Sequence, residues 1–200
     1  MKLITADASP FARKVRVVLR ETGQTDAVEE VQVMTTPVAT ADEVKAANPL
    51  GKIPALILDD GRALFDSRVI TRYLDSVAGA GLYPEDRIWD ILTLEAMADG
   101  ILEAAVLMVY EGRVRPEEKQ YAGWVEAQWA KAIRGVGAVN DTWMEMLSGP
   151  LNMCQISVGC ALGYLDFRHP DRDWRADHPA LAEWYVTFGA RPAMEETRPA

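Results

Sequence analysis

Two consecutive domains are predicted, an α/β domain built on a mixed four-stranded sheet and an all-α domain. The first 78 residues alternate strand-like and helix-like periodicities, whereas the remainder reads as helix almost to its end. Between them, Gly79-Ala80-Gly81 followed by Tyr83-Pro84 marks a linker over 79–85, which gives domains at 1–78 and 86–200.

Lys2 to Ala6 reads as a short strand. Pro10 to Thr22 places Phe11, Val15, Val18 and Leu19 at helical spacing, and Gly23 closes that helix. Val31 and Val33 alternate with polar residues, which predicts a second strand over Val28 to Met34. Thr40-Ala41-Asp42-Glu43-Val44 reads as a capped helix, stopped at Asn48-Pro49 because a residue before proline avoids helical dihedrals. Ala55 to Leu58, the Asp59-Asp60-Gly61 turn and Arg62 to Phe65 form a hairpin. Ser67 to Ala78 is a helix whose apolar face carries Val69, Ile70, Tyr73, Leu74 and Val77. The order βαβ, helix, ββα joins a parallel unit to an antiparallel hairpin, hence the mixed sheet.

Helical segments follow at Asp86 to Glu111, broken near Gly112 and Pro116, then Glu117 to Leu147, Ile156 to Phe167 and Pro179 to Ala190. Trp124, Trp129 and Trp143 supply bulky packing groups, and there are no repeats or low-complexity tracts.

A net charge of −9 argues against a nucleic-acid partner, because phosphate neutralisation needs clustered cations. The basic group Arg13, Lys14, Arg16 and Arg20 reads as one solvated helix face. No apolar run reaches the roughly 20 residues that cross a bilayer. The start, Met1-Lys2-Leu3-Ile4, enters strand-like sequence without a signal peptide, so neither a membrane nor export is expected and the cytoplasm is. Cys154 and Cys160, six residues apart on a helix, point in different directions, so no mutual disulfide is expected. They form no CxxC pair, and His169 and His178 lie in a Pro- and Asp-rich loop expected to face solvent. No metal site is predicted.

Three segments carry chemistry. Ser9-Pro10-Phe11-Ala12-Arg13-Lys14-Val15-Arg16 puts a serine at a helix mouth. Ser-Pro is a favourable N-cap and N1 pair that needs no ligand, yet the same hydroxyl and helix dipole can stabilise a thiolate. A free thiol has a pKa near about 8.5, and each unit of lowering is roughly 1.4 kcal/mol. In Asn48-Pro49-Leu50-Gly51-Lys52-Ile53-Pro54-Ala55-Leu56, a proline directly ahead of a strand can carry a cis peptide that presents Ile53 to a ligand. Phe65-Asp66-Ser67 opens a helix with an acid and a hydroxyl, which is also what an ordinary cap looks like.

Together these segments resemble the amino-terminal half of cytosolic glutathione transferases of the bacterial serine-site type. The element order is similar to their thioredoxin-like fold. Asn152-Met153-Cys154-Gln155 resembles the capping box of the family's helical domain, where Ser or Thr and then Asp are usual; the uncharged pair implies a weaker cap.

The resemblance implies a homodimer that uses glutathione as co-substrate and a small hydrophobic electrophile as partner in detoxification. It assigns Ser9 as the catalytic group. It assigns Lys52, Ile53, Pro54, Asp66 and Ser67 to glutathione, Asp99 to a cross-dimer contact, and Phe11, Met108 and Tyr110 to an electrophile pocket. With no cysteine in the first 150 residues, a mixed disulfide with glutathione is not expected. Conjugation is the leading expectation. A non-catalytic glutathione-binding or scaffold protein and a glutathione-dependent peroxidase or reductive dehalogenase are the alternatives.

Overall fold

A computed structural model of the chain describes residues 1–199. Two compact units are present, Met1–Tyr83 joined by the segment from Pro192 onward, and Pro84–Arg191.

The first unit contains β1 (Lys2–Thr5), α1 (Pro10–Glu21), β2 (Glu29–Gln32), α2 (Asp42–Ala47), β3 (Ala55–Ile57), β4 (Ala63–Leu64) and α3 (Ser67–Ala78). The sheet order is β2-β1-β3-β4. β1 runs parallel to β2 and antiparallel to β3, and β4 returns antiparallel to β3, so the sheet is mixed as the element order predicts. Successive residues of a strand point to opposite faces. Ile4 and Ala55, paired across β1 and β3, pack with Val44 and Ala47 of α2. Their neighbours Leu3 and Leu56 are also paired and fully buried, toward the face covered by α1 and α3, which pack on each other. Burying one such leucine contributes roughly 1.5–3 kcal/mol.

Helix α2 departs from its predicted cap. Its N-cap is Ala41, without a side-chain bond, and the Thr40 hydroxyl donates instead to Thr36 O (3.4 Å).

The basic face of α1 is corrected more deeply. Arg13, Lys14 and Arg16 are buried, not solvated. Residues 13, 16 and 20 recur at helical spacing, and that face meets β2 and the final helix α9 (Pro192–Glu196). Arg16 pairs through Nε with Glu30 (2.6 Å) and through Nη1 with Asp7 (2.8 Å). Arg20 holds the other Glu30 oxygen (2.7 Å) and Glu196 (3.2 Å), and Arg13 donates to Met194 O (3.0 Å). These bonds draw the segment from Pro192 into the first unit. The sequence pattern shows neither, because α9 has only five residues and its partners lie about 180 positions away.

The helical unit comprises α4 (Ile88–Val114), α5 (Ala122–Thr142), α6 (Met144–Ser148), α7 (Met153–Arg168) and α8 (Pro179–Gly189). Helix α4 runs through Gly112, where a break was expected, and stops at Arg115-Pro116. The predicted segment 117–147 divides at Trp143 into α5 and α6. His178, expected in solvent, is buried at the start of α8, its Nδ1 2.6 Å from Trp174 O. His169 is part-buried with Nε2 3.0 Å from Ala105 O, and burial lowers its pKa.

The capping box at α7 forms in full. Asn152 Oδ1 accepts from Cys154 N (2.9 Å) and Gln155 N (3.4 Å), and Gln155 Oε1 accepts from Asn152 N (2.9 Å). The absence of charge is no weakness here. Gln155 Nε2 also donates to Leu147 O (2.8 Å) and Gly149 O (3.0 Å), and Asn152 Nδ2 to Met146 O (3.3 Å) and Pro150 O (3.1 Å). A carboxylate has no such donors.

Two measurements follow from these contacts. Gln155→Glu should destabilise the protein by about 1–3 kcal/mol in chemical denaturation at pH 7, because the acid faces carbonyl oxygens left without donors; an unchanged or higher stability contradicts this. Glu30 tests the α1 seam. Burial pushes its carboxyl upward, but the hydrogen bonds and charges of Arg20 and Arg16 outweigh that and hold it below its ordinary value of 4.5. Its contribution is therefore present above that value and is lost as pH falls through the depressed one. Glu30→Gln should cost about 1–3 kcal/mol at pH 7. The gap to wild type should close under strong acid; a gap independent of pH contradicts the assignment.

Candidate functional site

The strand register brings the three chemistry-bearing segments together. Ile4 pairs with Ala55, so the end of β1 and the beginning of β3 occupy the same end of the sheet. Leu56 pairs with Leu64, which returns the end of β4 to that same end. Ser9 follows β1, Ile53 and Pro54 precede β3, and Asp66 and Ser67 follow β4. All five therefore gather at one sheet end.

Ser9 is half-buried and is the N-cap of α1, with Pro10 at the first helical position. Its Oγ accepts from Ala12 N (3.2 Å), and its own N–H donates to Ala6 O (2.9 Å). An accepting hydroxyl keeps its proton for another acceptor. The first amides of α1 and the positive end of its dipole surround that position. Phe11, half-buried, is the second residue of the same helix.

The peptide between Ile53 and Pro54 is cis. Ile53 precedes the first ladder residue, Ala55, and its main chain stands outside the sheet pairing. Pro54 is buried and Lys52 exposed. Asn48 builds this loop. Only 2% exposed, it donates through Nδ2 to Lys52 O (2.9 Å) and accepts at Oδ1 from Leu50 N (3.0 Å), while its carbonyl accepts from Gly51 N (2.8 Å). Gly51 has φ 65°, and a Cβ there would stand 2.9 Å from Thr40 Cγ2. Glycine is required on both counts.

Asp66 caps α3, accepting from Arg68 N at Oδ1 (3.1 Å) and pairing with the Arg68 guanidinium at Oδ2 (3.2 Å). The peptide preceding it, after Phe65, is also cis. Partial burial pushes the Asp66 carboxyl up, yet Arg68 and then Lys14 outweigh this and hold it below the usual range. It is a carboxylate at neutral pH. Lys14, fully buried on α1, thus lends positive potential to the α3 mouth. Ser67 is buried in the first turn, and its carbonyl accepts from Thr71 Oγ1 (2.9 Å).

The remaining sequence candidates lie on α4 in the helical unit. Asp99 and Met108 are buried there, and Tyr110 is exposed. Asp99 has a polar partner within the chain. Both cysteines are buried in α7; burial, with Glu95 and Asp90 adding to it, pushes the Cys154 thiol up to about 12. That thiol is inert as a nucleophile.

Chemically, the sheet end offers a stretch of main chain outside the sheet pairing, a hydroxyl at a helix mouth, a carboxylate, a second helix mouth and an exposed lysine. This set complements an extended peptide with free amino and carboxyl ends and a thiol.

A thioredoxin-like sheet domain with such an end, followed by an all-helical domain, defines a glutathione-transferase-like class. Residues 8–77 match the family model for the glutathione S-transferase N-terminal domain, and residues 122–186 match its C-terminal domain. The chain belongs to the glutathione S-transferase family. It is similar to a family member from Pseudomonas fluorescens Pf-5 solved with bound glutathione, at 46% identity and a TM-score of 0.97, covering 100% of this chain and 98% of that one. A structure from the same source carries bound S-(propanoic acid)-glutathione, at 46% identity, TM-score 0.92 and coverage of 100% and 99%. A glutathione-bound transferase from Methylobacillus flagellatus KT is 38% identical with a TM-score of 0.86, covering 100% and 99%. The GST-like protein YibF of Escherichia coli K12 is 32% identical over 206 residues, 100% of this chain and 98% of that protein.

The sequence pattern assigns Asn48, Lys14 and Arg68 no part in the site. Asn48 had a local signal, since asparagine bonds main chain two residues on in turns. The other two had none, because a buried lysine looks like any surface lysine until the helices pack. Asn48→Ala should lower stability by about 1–3 kcal/mol by orphaning Lys52 O and Leu50 N. Amide exchange at Leu50 should accelerate; unchanged protection there contradicts the role of Asn48.

Proposed function

We propose that this protein is a serine-site glutathione transferase that conjugates the glutathione thiolate to a small hydrophobic electrophile. The observation that carries the proposal is the register-driven gathering of Ser9, Ile53, Asp66 and Ser67 at one sheet end. Bound glutathione in the Pseudomonas fluorescens relative supports it.

In this reading the tripeptide extends along Ile53 and exchanges main-chain hydrogen bonds with it. Lys52 takes the glycine carboxylate. Ser67 and its amide take the γ-glutamyl carboxylate at the α3 mouth, and Asp66 takes the ammonium group. The thiol loses its proton to solvent, and Ser9 Oγ–H donates to the resulting thiolate. A charge-assisted hydrogen bond of roughly 1.5–3 kcal/mol matches a pKa lowering of about one to two units. The sulfur pair then forms a C–S bond to the electrophilic carbon, and the leaving group departs with its bonding pair. Phe11, Met108 and Tyr110 are the proposed apolar lining for the electrophile, and the working form is proposed to be a cytoplasmic homodimer.

Ser9→Ala tests the mechanism. The thiol pKa in the glutathione complex, followed by thiolate absorbance, should rise by about one to two units. The kcat/KM for chlorodinitrobenzene should fall by roughly 10- to 100-fold, with glutathione affinity changed far less. Unchanged pKa and activity would remove Ser9 from the chemistry. Tight glutathione binding without turnover on aryl halides, peroxides and haloaromatics would make the protein a binding scaffold instead.

A further inference from the structure

Ahead of Ser9, the turn from β1 to α1 depends on one side chain. Ala6-Asp7-Ala8-Ser9 is closed by the Ser9 N–H, which donates to Ala6 O (2.9 Å). Ala6 and Ala8 carry only methyl groups, so Asp7 alone within the turn has a polar side chain to tie it to other elements.

Asp7 Oδ1 meets donors from two elements, Gln32 Nε2 (2.9 Å) and Arg16 Nη1 (2.8 Å). Gln32 is the last residue of β2, in register with Thr5 at the end of β1. Val33 N also donates to Thr5 O (2.9 Å), which closes that end of the ladder. Arg16 lies about two turns into α1. Its side chain is 10% exposed, and its Nε is held by Glu30 (2.6 Å). Both anchors are therefore fixed by contacts of their own.

Stability does not account for this arrangement. The Asp7 side chain is 52% exposed, and an ion pair so open to water contributes little to folding. Its charge also has the wrong sign for the chemistry, because a carboxylate near a thiol disfavours the thiolate. What Asp7 supplies is position. A hydroxyl stabilises a thiolate only when it is aimed at it, and a misplacement of about 1 Å can cost roughly 100-fold in rate.

On the transferase reading given above, we propose that Asp7 is a positioning residue for Ser9: by tying the β1–α1 turn to Gln32 and Arg16, it holds the Ser9 hydroxyl toward the glutathione sulfur.

Asp7→Ala and Asp7→Asn, each made in the wild-type and Ser9→Ala backgrounds, separate position from charge. In the glutathione complex, followed by thiolate absorbance, Asp7→Ala should raise the thiol pKa by about half a unit to one unit. Loss of the charge alone would move it the other way. The kcat for chlorodinitrobenzene should fall by roughly tenfold, while KM for glutathione changes by less than about threefold. Asp7→Asn keeps an accepting Oδ1 and should hold kcat within about threefold of wild type, with the thiol pKa not raised. In the Ser9→Ala background, Asp7→Ala should change kcat by less than about twofold, because the group it positions is gone. Without glutathione, amide exchange at Ser9 should accelerate in Asp7→Ala, with the melting temperature moved by less than about 4 °C. A thiol pKa unchanged or lowered in Asp7→Ala, an equal loss of kcat in both backgrounds, or unchanged exchange at Ser9 would each overturn the proposal. Should glutathione fail to bind, or Ser9→Ala leave the thiol pKa unmoved, the transferase reading falls and the role of Asp7 falls with it. A shift in Ser9→Ala without one in Asp7→Ala defeats the role of Asp7 alone.

Discussion

One antiparallel register, Leu3 on Leu56 and Ile4 on Ala55, governs both the core of the first unit and the chemistry at its edge. A slip of one residue would turn Leu56 away from α1 and α3 and aim it at α2, where Ala55 packs. The same slip would carry Pro54 and Ile53 out of line with the Ser9 turn. Hydrophobic burial, which is non-directional, thus fixes a directional site through the period-two geometry of the strands.

Helix α1 shares in both tasks. Its first turn presents Ser9, while its buried cations bind Glu30 on β2 and the segment beyond Pro192. Lys14, from the same helix, reaches the α3 mouth electrostatically. Anchoring a helix by paired charges on one face and packed valines on the other holds its amino terminus in place, and a serine cap stabilises a thiolate only while it is so held. The loop before β3 uses an uncharged amide for the same purpose: Asn48 ties the Ile53 loop as Asn152 and Gln155 tie the start of α7 in the helical unit.

Most of the fold was legible because its signals are local. Gly23, Asn48-Pro49, Asp60-Gly61 and Gly79 punctuate the first unit where its elements stop, and the alternation of Val31 and Val33 marks β2. The long helices were visible as well, although Gly112 proved tolerable inside α4 while Arg115-Pro116 ended it. What stayed hidden depends on distant partners. The burial of Arg13, Lys14 and Arg16, the docking of α9 and the buried position of His178 require knowing which faces meet, and no periodicity encodes that. In the site, Ser9, Ile53 and Asp66 stood out because turn and cap chemistry is written in neighbouring residues. The electrophile lining proposed on α4 rests on the resemblance alone, since Met108 and Tyr110 follow the same helical spacing as ordinary core.

The most direct measurement is a crystal structure of the protein grown with glutathione. The expected result is the tripeptide main chain bonded to Ile53, its sulfur within reach of Ser9 Oγ and its γ-glutamyl end at Asp66 and Ser67. Glutathione lodged elsewhere, or its sulfur turned away from the α1 mouth, would contradict the central claim.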